Sequence, residues 1–278
     1  MNLSFAHANS FPAASYRPLL ALLEQQHNVV ALPMFGHHWQ YPVTNGWSNL
    51  VLEYVAFLES QTTPTHPLPR WLVGHSMGGF LSLMVAQVRP DLAQGVILLD
   101  APIIGGWKAK VLQLSKATGL VWQVAPAKFS QIRREEFEST EQTFNHFRSK
   151  KVFARFSDAA LHNYVQAGTV PSPNGVKLAF NRNTETKVYG GLPHHLVKVA
   201  KNLRAKQPDL PIGLIAGTES EEMRIVGLRH TRQFVPEHMI RQIPGGHLFP
   251  LEQPLETART INLLLSAMDK GGAPFEQR

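Results

Sequence analysis

The stretch that most limits what this chain can become is Trp71-Leu72-Val73-Gly74-His75-Ser76-Met77-Gly78-Gly79-Phe80-Leu81-Ser82-Leu83. An apolar run enters a knot of small and polar residues, and a second apolar run leaves it. Taken as strand, turn and helix, the knot matches G-x-S-x-G. In that geometry the serine sits in a strained backbone conformation with its hydroxyl at the C-terminal end of the strand. The glycines two before and two after it let neighbouring backbone pass without a Cβ clash. The Met77 N–H, at the helix start, is then free to donate to a developing oxyanion. A glycine-rich turn with an incidental serine would carry the same letters. The apolar run on each side favours the nucleophile turn.

The same alternation runs along much of the chain. Short continuous apolar runs at residues 3–6, 29–32, 70–75, 95–99, 212–216 and 239–243 are separated by helical patterns at 16–26, 47–60, 78–88, 193–206, 221–234 and 254–268. Continuous apolar strands alternating with helices belong to an α/β class in which a parallel sheet is covered on both faces. The rhythm breaks after Pro102. Residues 104–190 give helical patterns at 107–124, 131–149 and 157–167, and the first strand-like run there is Val176 to Phe180. The expected organisation is a core of residues 1–103 and 191–278 with a mostly helical insertion at 104–190. The polar tail from Lys270 is expected to be loose.

A length of 278 residues suits one large α/β domain carrying an insertion. No run approaches the roughly 20 apolar residues of a membrane span. The N-terminal MNLSFAHANSF lacks the basic start and apolar core of a secretory leader, and the chain has no cysteine, which removes disulfides, thiolate metal sites and a cysteine nucleophile. A cytoplasmic location is expected. The net charge is +7, but the basic residues are scattered and no nucleic-acid motif accompanies them, so they read as a solvated surface.

A serine nucleophile needs a base, usually histidine, oriented by a carboxylate. Of the 13 histidines, His247 in Ile243-Pro244-Gly245-Gly246-His247-Leu248 follows the last strand and precedes the final helix, as the chain order Ser, acid, His requires. Two sources of acid stay open. Asp100 ends the apolar strand beside the serine strand, where an unpaired carboxylate would be costly. Glu219, Glu221 and Glu222 follow the strand at 212–216, where they also suit a helix first turn. Asp100 is favoured. The second oxyanion donor is expected from the loop after the first strand, at the Asn9 N–H, with His7 ordering that loop.

Helical core packing accounts for most aromatics of the insertion. Phe11, Met77 and Phe249 adjoin motif residues and, with Trp107, are the candidates for lining an apolar pocket. His37-His38 and His194-His195 have no carboxylate cluster beside them, so no metal is expected. No phosphate loop or dinucleotide fingerprint stands beside the turn, so no cofactor is expected either.

These residues resemble the α/β-hydrolase fold family over nearly the whole chain. His7-Ala8-Asn9 looks like its oxyanion loop, with Ala where Gly is usual. Gly36-His37 looks like its Gly-His loop, Gly74 to Gly79 is similar to its commonest nucleophile turn, and Gly246-His247 is similar to its histidine loop. The family's N-terminal hairpin is missing, which implies six parallel strands with the one at 29–32 on an exposed edge. An exposed edge is a liability that a second subunit would cover, so a homodimer is expected. Where the family usually places its acid stands Ser220. Some members, including haloalkane dehalogenases, carry it at the position of Asp100. Ser76 argues against the aspartate-nucleophile chemistry of dehalogenases and epoxide hydrolases. The resemblance implies a cofactor-free serine hydrolase of a small-molecule ester, thioester, lactone or amide, with the insertion as a cap. An acyltransferase on the same residues, or a hydrolase-fold receptor with little turnover, are the alternatives.

Overall fold

A computed structural model describes residues 1–64, 67–124 and 126–269. The chain begins with strand β1 (Asn2–Ala6), helix α1 (Arg17–Glu24), β2 (Asn28–Ala31), α2 (Ser48–Ser60), β3 (Arg70–His75), α3 (Met77–Val88) and β4 (Ala93–Leu99). The insertion region holds α4 (Gly106–Ala117), α5 (Ala127–Gln131), β5 (Glu136–Phe137), α6 (Thr140–Arg148), α7 (Asp158–Gly168), β6 (Thr169–Ser172), β7 (Gly175–Leu178) and α8 (Arg182–Gly190). Then come α9 (Leu196–Lys206), β8 (Ile212–Gly217), α10 (Glu221–Val226), β9 (Ile240–Ile243), α11 (Phe249–Glu252) and α12 (Pro254–Asp269).

Six parallel strands form the main sheet in the order β2-β1-β3-β4-β8-β9. The central strands are buried along nearly their whole length: every residue of β3 and β8 is shut from water, and only Gln94 of β4 is exposed. Their Leu, Val and Ile side chains therefore meet helices on both faces, each contributing about 1.5–3 kcal/mol by leaving water. Helices α2, α3 and α9 pack together as one layer, and α1 with α12 as another. β2 lies at the sheet edge, half-exposed, as expected for the strand at 29–32.

The insertion, expected to be mostly helical, also carries three short strands. The pattern at 131–149 is two helices separated by a strand. Ser139 is extended and its side chain accepts the Gln142 N–H, so α6 starts anew there, while Glu136-Phe137 pairs with β7. The run from Val176 lies outside the main sheet, in a three-stranded antiparallel sheet β5-β7-β6. The helix expected over 221–234 stops at Val226, because Gly227 takes φ +74° and turns the chain away. The tail from residue 270 lies outside the described residues.

Candidate active site

The turn after β3 is set by close backbone contact. Ser76 has φ +53° and ψ −114°, a conformation that costs a non-glycine residue about 1–3 kcal/mol. A Cβ on Gly74 would stand 2.2 Å from the Gly78 carbonyl, and one on Gly78 would stand 2.0 Å from the Ala6 carbonyl oxygen. Both glycines are therefore needed for the turn to fold onto itself and onto the end of β1. That contact brings the His7-Ala8-Asn9 loop alongside the first turn of α3. Among the described residues, neither the Asn9 N–H nor the Met77 N–H donates to an acceptor in the chain.

β4 ends in the same manner one strand over. His75 pairs with Leu99, the Ser76 N–H donates to the Leu99 carbonyl at 2.9 Å, and Asp100 follows with φ +46°. The Asp100 side chain is fully buried and held by three donors. Oδ1 accepts the Gly217 N–H at 2.8 Å, and Oδ2 accepts the Ser220 hydroxyl at 2.5 Å and the His247 Nδ1–H at 2.6 Å. The far nitrogen of His247, Nε2, lies 3.0 Å from Ser76 Oγ. Burial works against a charged His247 ring. The Asp100 hydrogen bond, with the nearby charges of Glu222 and Glu252, outweighs it and raises the pKa above the ordinary 6.5.

A second buried path ties the surrounding loops together. His75, wholly buried, donates from Nε2 to the His247 carbonyl at 2.8 Å, and its Nδ1 accepts the Tyr16 hydroxyl at 2.7 Å. Tyr16 in turn accepts the Ala8 N–H at 3.2 Å. Burial drives the His75 pKa well below 6.5, so the ring is neutral and keeps one donor and one acceptor. The loop after β1 and the His247 loop are thus joined through Tyr16 and His75. Sequence reasoning passed over both residues. The available signal was a histidine closing an all-apolar strand, which must find partners there. His7 orders its own loop: Nδ1 donates to the Ala8 carbonyl at 2.8 Å, Nε2 accepts the Phe35 N–H at 2.9 Å, and burial lowers its pKa to about 4.

Several expected site residues lie elsewhere. Glu219 is paired with Arg155, and Glu221 reaches Arg224 at 3.0 Å; both are exposed and neither contacts His247. Glu222 is the acid near it, with Oε2 3.6 Å from Nδ1. Phe249 is enclosed in the core and cannot line an open pocket, because no part of its ring reaches solvent. Phe11 is packed against Tyr164 and Phe153, with ring centroids 5.0 and 6.1 Å away. Trp107 points into solvent on α4. His37 is engaged by backbone, donating to Phe35 and accepting from Asn181. Donor atoms of Asp100, Glu222 and His247 lie within 4.8 Å of one another, a spacing a metal ion could bridge. At 2.6 Å, however, the Asp100–His247 pair is bridged by a proton that an ion would first have to displace.

The model of the alpha/beta hydrolase family matches residues 5–260. Among curated proteins none matches the chain. Many solved structures resemble it in fold, and three illustrate the likeness. One is an E-2-(acetamidomethylene)succinate hydrolase, 19% identical, with TM-score 0.75 over 96% of this chain and 91% of that one. A second is a peroxisomal alpha-beta-hydrolase of Saccharomyces cerevisiae, 17% identical, with TM-score 0.72 over 99% and 79%. The third is an esterase of M. tuberculosis, 17% identical, with TM-score 0.69 over 95% and 85%. With the family match spanning most of its length, this chain belongs to the alpha/beta hydrolase family.

Proposed function

We propose that the protein is a serine hydrolase that cleaves a carboxylic ester, or a related thioester, lactone or amide, of a small molecule through an acyl-enzyme. The observation that carries this reading is the unbroken path from Ser76 Oγ through His247 to the buried Asp100 carboxylate. His247 Nε2 takes the hydroxyl proton as Oγ bonds to the substrate carbonyl carbon. Asp100 holds the ring with Nδ1–H toward itself and stabilises the imidazolium. The Asn9 and Met77 N–H groups donate to the oxyanion. His247 then gives its proton to the departing alcohol, and a water attacks the acyl carbon with the same ring as base. Ser76 is released and the acid leaves.

The insertion acts as a cap over this site. In support, the Asn9 side-chain amide donates to the Glu185 carbonyl of α8 at 3.1 Å, and Phe11 packs at a tilt against Phe153 and Tyr164 of the insertion, so the loop after β1 is already held from above. A phosphonate ester that reacts with activated serines is expected to label Ser76. Ser76→Ala should lower turnover of short p-nitrophenyl esters at least about a thousandfold. Turnover at the parent rate in that variant would overturn the reading.

A further inference from the structure

Helix α4 is mounted the wrong way round for a helix facing water. Residues spaced by three and four share a helix face, and on α4 the outward face carries Trp107, Val111 and Leu114. Trp107 is 69% exposed and Leu114 64%. Two of its lysines reach inward instead. Lys108 Nζ donates to the Val226 carbonyl at 3.0 Å, and Lys116 Nζ donates to Asn45 Oδ1 and the Leu192 carbonyl, each at 2.8 Å. The helix is moored by its cations and presents its apolar side to solvent. Past the helix end the chain exposes more large apolar side chains: Leu120 at 50%, Phe129 on α5 at 64% and Ile132 just after it at 76%. A run of large apolar side chains of this extent marks a surface made to be covered.

The charge around it indicates what covers it. From Ala101 to Arg134 the chain has Lys108, Lys110, Lys116, Lys128, Arg133 and Arg134 but no Asp or Glu. Lys110, Lys128 and Arg134 are exposed beside the apolar run. A second copy is a poor cover, since a two-fold contact would set Lys110 and Lys128 of one copy near the same cations of the other, and residues 101–134 bring no acid of their own. A protein partner would meet few polar groups on this stripe to fix its orientation. Among the described residues no helix is long and apolar enough to cross a membrane. Large apolar side chains with a tryptophan, rimmed by lysines, instead suit a surface that rests in the headgroup layer. We propose that the outer face of α4 and α5 docks on an anionic lipid surface.

The test is co-sedimentation of the full chain with vesicles at low salt, comparing phosphatidylcholine alone with phosphatidylcholine mixed with phosphatidylglycerol. Binding to the mixed vesicles and much weaker binding to the neutral ones is expected. Lys110→Gln with Lys128→Gln should lower the partition coefficient about five-fold per lysine. Val111→Gln with Leu114→Gln should lower it at least about ten-fold. Because all four side chains face solvent or its margin, both double variants should keep the parent melting temperature; if the apolar pair unfolds, the lysine pair alone decides. Equal binding to both vesicle types, or partition unmoved by the lysine substitutions, overturns the proposal. So does a concentration-dependent dimer, seen by sedimentation velocity without lipid, that the lysine or apolar substitutions disperse, for then a second copy owns the face.

Discussion

Two strands of the central sheet end beside His247, and each is followed at once by residues able to offer it a carboxylate. After β4 stands Asp100, with its side chain fully buried, its backbone at positive φ, and three donors on its two oxygens. After β8 stand Glu219, Glu221 and Glu222 around Ser220, all three exposed, the first two turned to arginines. The difference is one of solvent. A carboxylate with water on one side is screened and free to rotate. One enclosed in the sheet edge has its orientation imposed by its donors, and its charge acts on the imidazole through a medium of low dielectric. The β8 turn still takes part, but by giving Asp100 two of its three hydrogen bonds. Ser220, at the position where the family resemblance implies an acid, donates to Asp100, the acid of the proposed reaction.

Asp100→Asn is the substitution that strains this comparison most. The side chain keeps its size, but its one amide oxygen cannot accept from Gly217, Ser220 and His247 together, and its NH2 group accepts from none of them. The imidazole loses its imposed tautomer, and kcat should fall by about a hundredfold to ten-thousandfold with the fold intact. If Asp100→Asn stays near the parent rate while Glu222→Gln loses it, the two strand ends have exchanged roles.

Ser220→Ala is the next largest. It removes one of the donors to Asp100 Oδ2 and the side-chain cap on the Met223 N–H at the start of α10. A lost N-cap costs about 1 kcal/mol, readable as a drop in melting temperature. The catalytic effect should be about ten-fold in kcat with KM little changed, since Gly217 and His247 still hold the carboxylate. A variant that melts earlier but turns over at the parent rate would reduce Ser220 to a helix cap.

What the sequence could reveal followed the range of the interactions. The turn at Ser76 is local: its glycines, apolar strand and helix are contiguous, and the six parallel strands follow from runs four to seven residues long. Asp100 was legible because an acid closing an apolar strand demands a partner. The identity of those partners was not, since Gly217 and Ser220 lie across a strand boundary and more than a hundred residues away. The path from Tyr16 to His75 to His247 was hidden for the same reason. In the insertion the periodicity indicated which side chains share a face but not what that face meets. Phe137 carried the helical pattern at 131–149 yet belongs to a strand, and the apolar stripe of α4 faces outward.

Glu222 tests the comparison at its finest. Its carboxylate lies 3.6 Å from His247 Nδ1, close enough to act on the ring through its charge, but it is half-exposed and Asp100 occupies the proton. A negative neighbour favours the imidazolium, so Glu222 contributes to raising the His247 pKa. In the proposed reaction the neutral ring is the base, so activity should be lost as pH falls through that raised pKa. Glu222→Gln removes one raising influence, so the acidic limb of kcat/KM should move to lower pH while the plateau rate stays within about three-fold. Glu219→Gln and Glu221→Gln, whose carboxylates pair with Arg155 and Arg224 at the surface, should leave both limb and plateau in place. A limb that moves the other way in Glu222→Gln, or moves as far in Glu219→Gln, would mean that the acids after β8 are felt at His247 as one diffuse field and that the distinction between the two strand ends lies in hydrogen bonding alone.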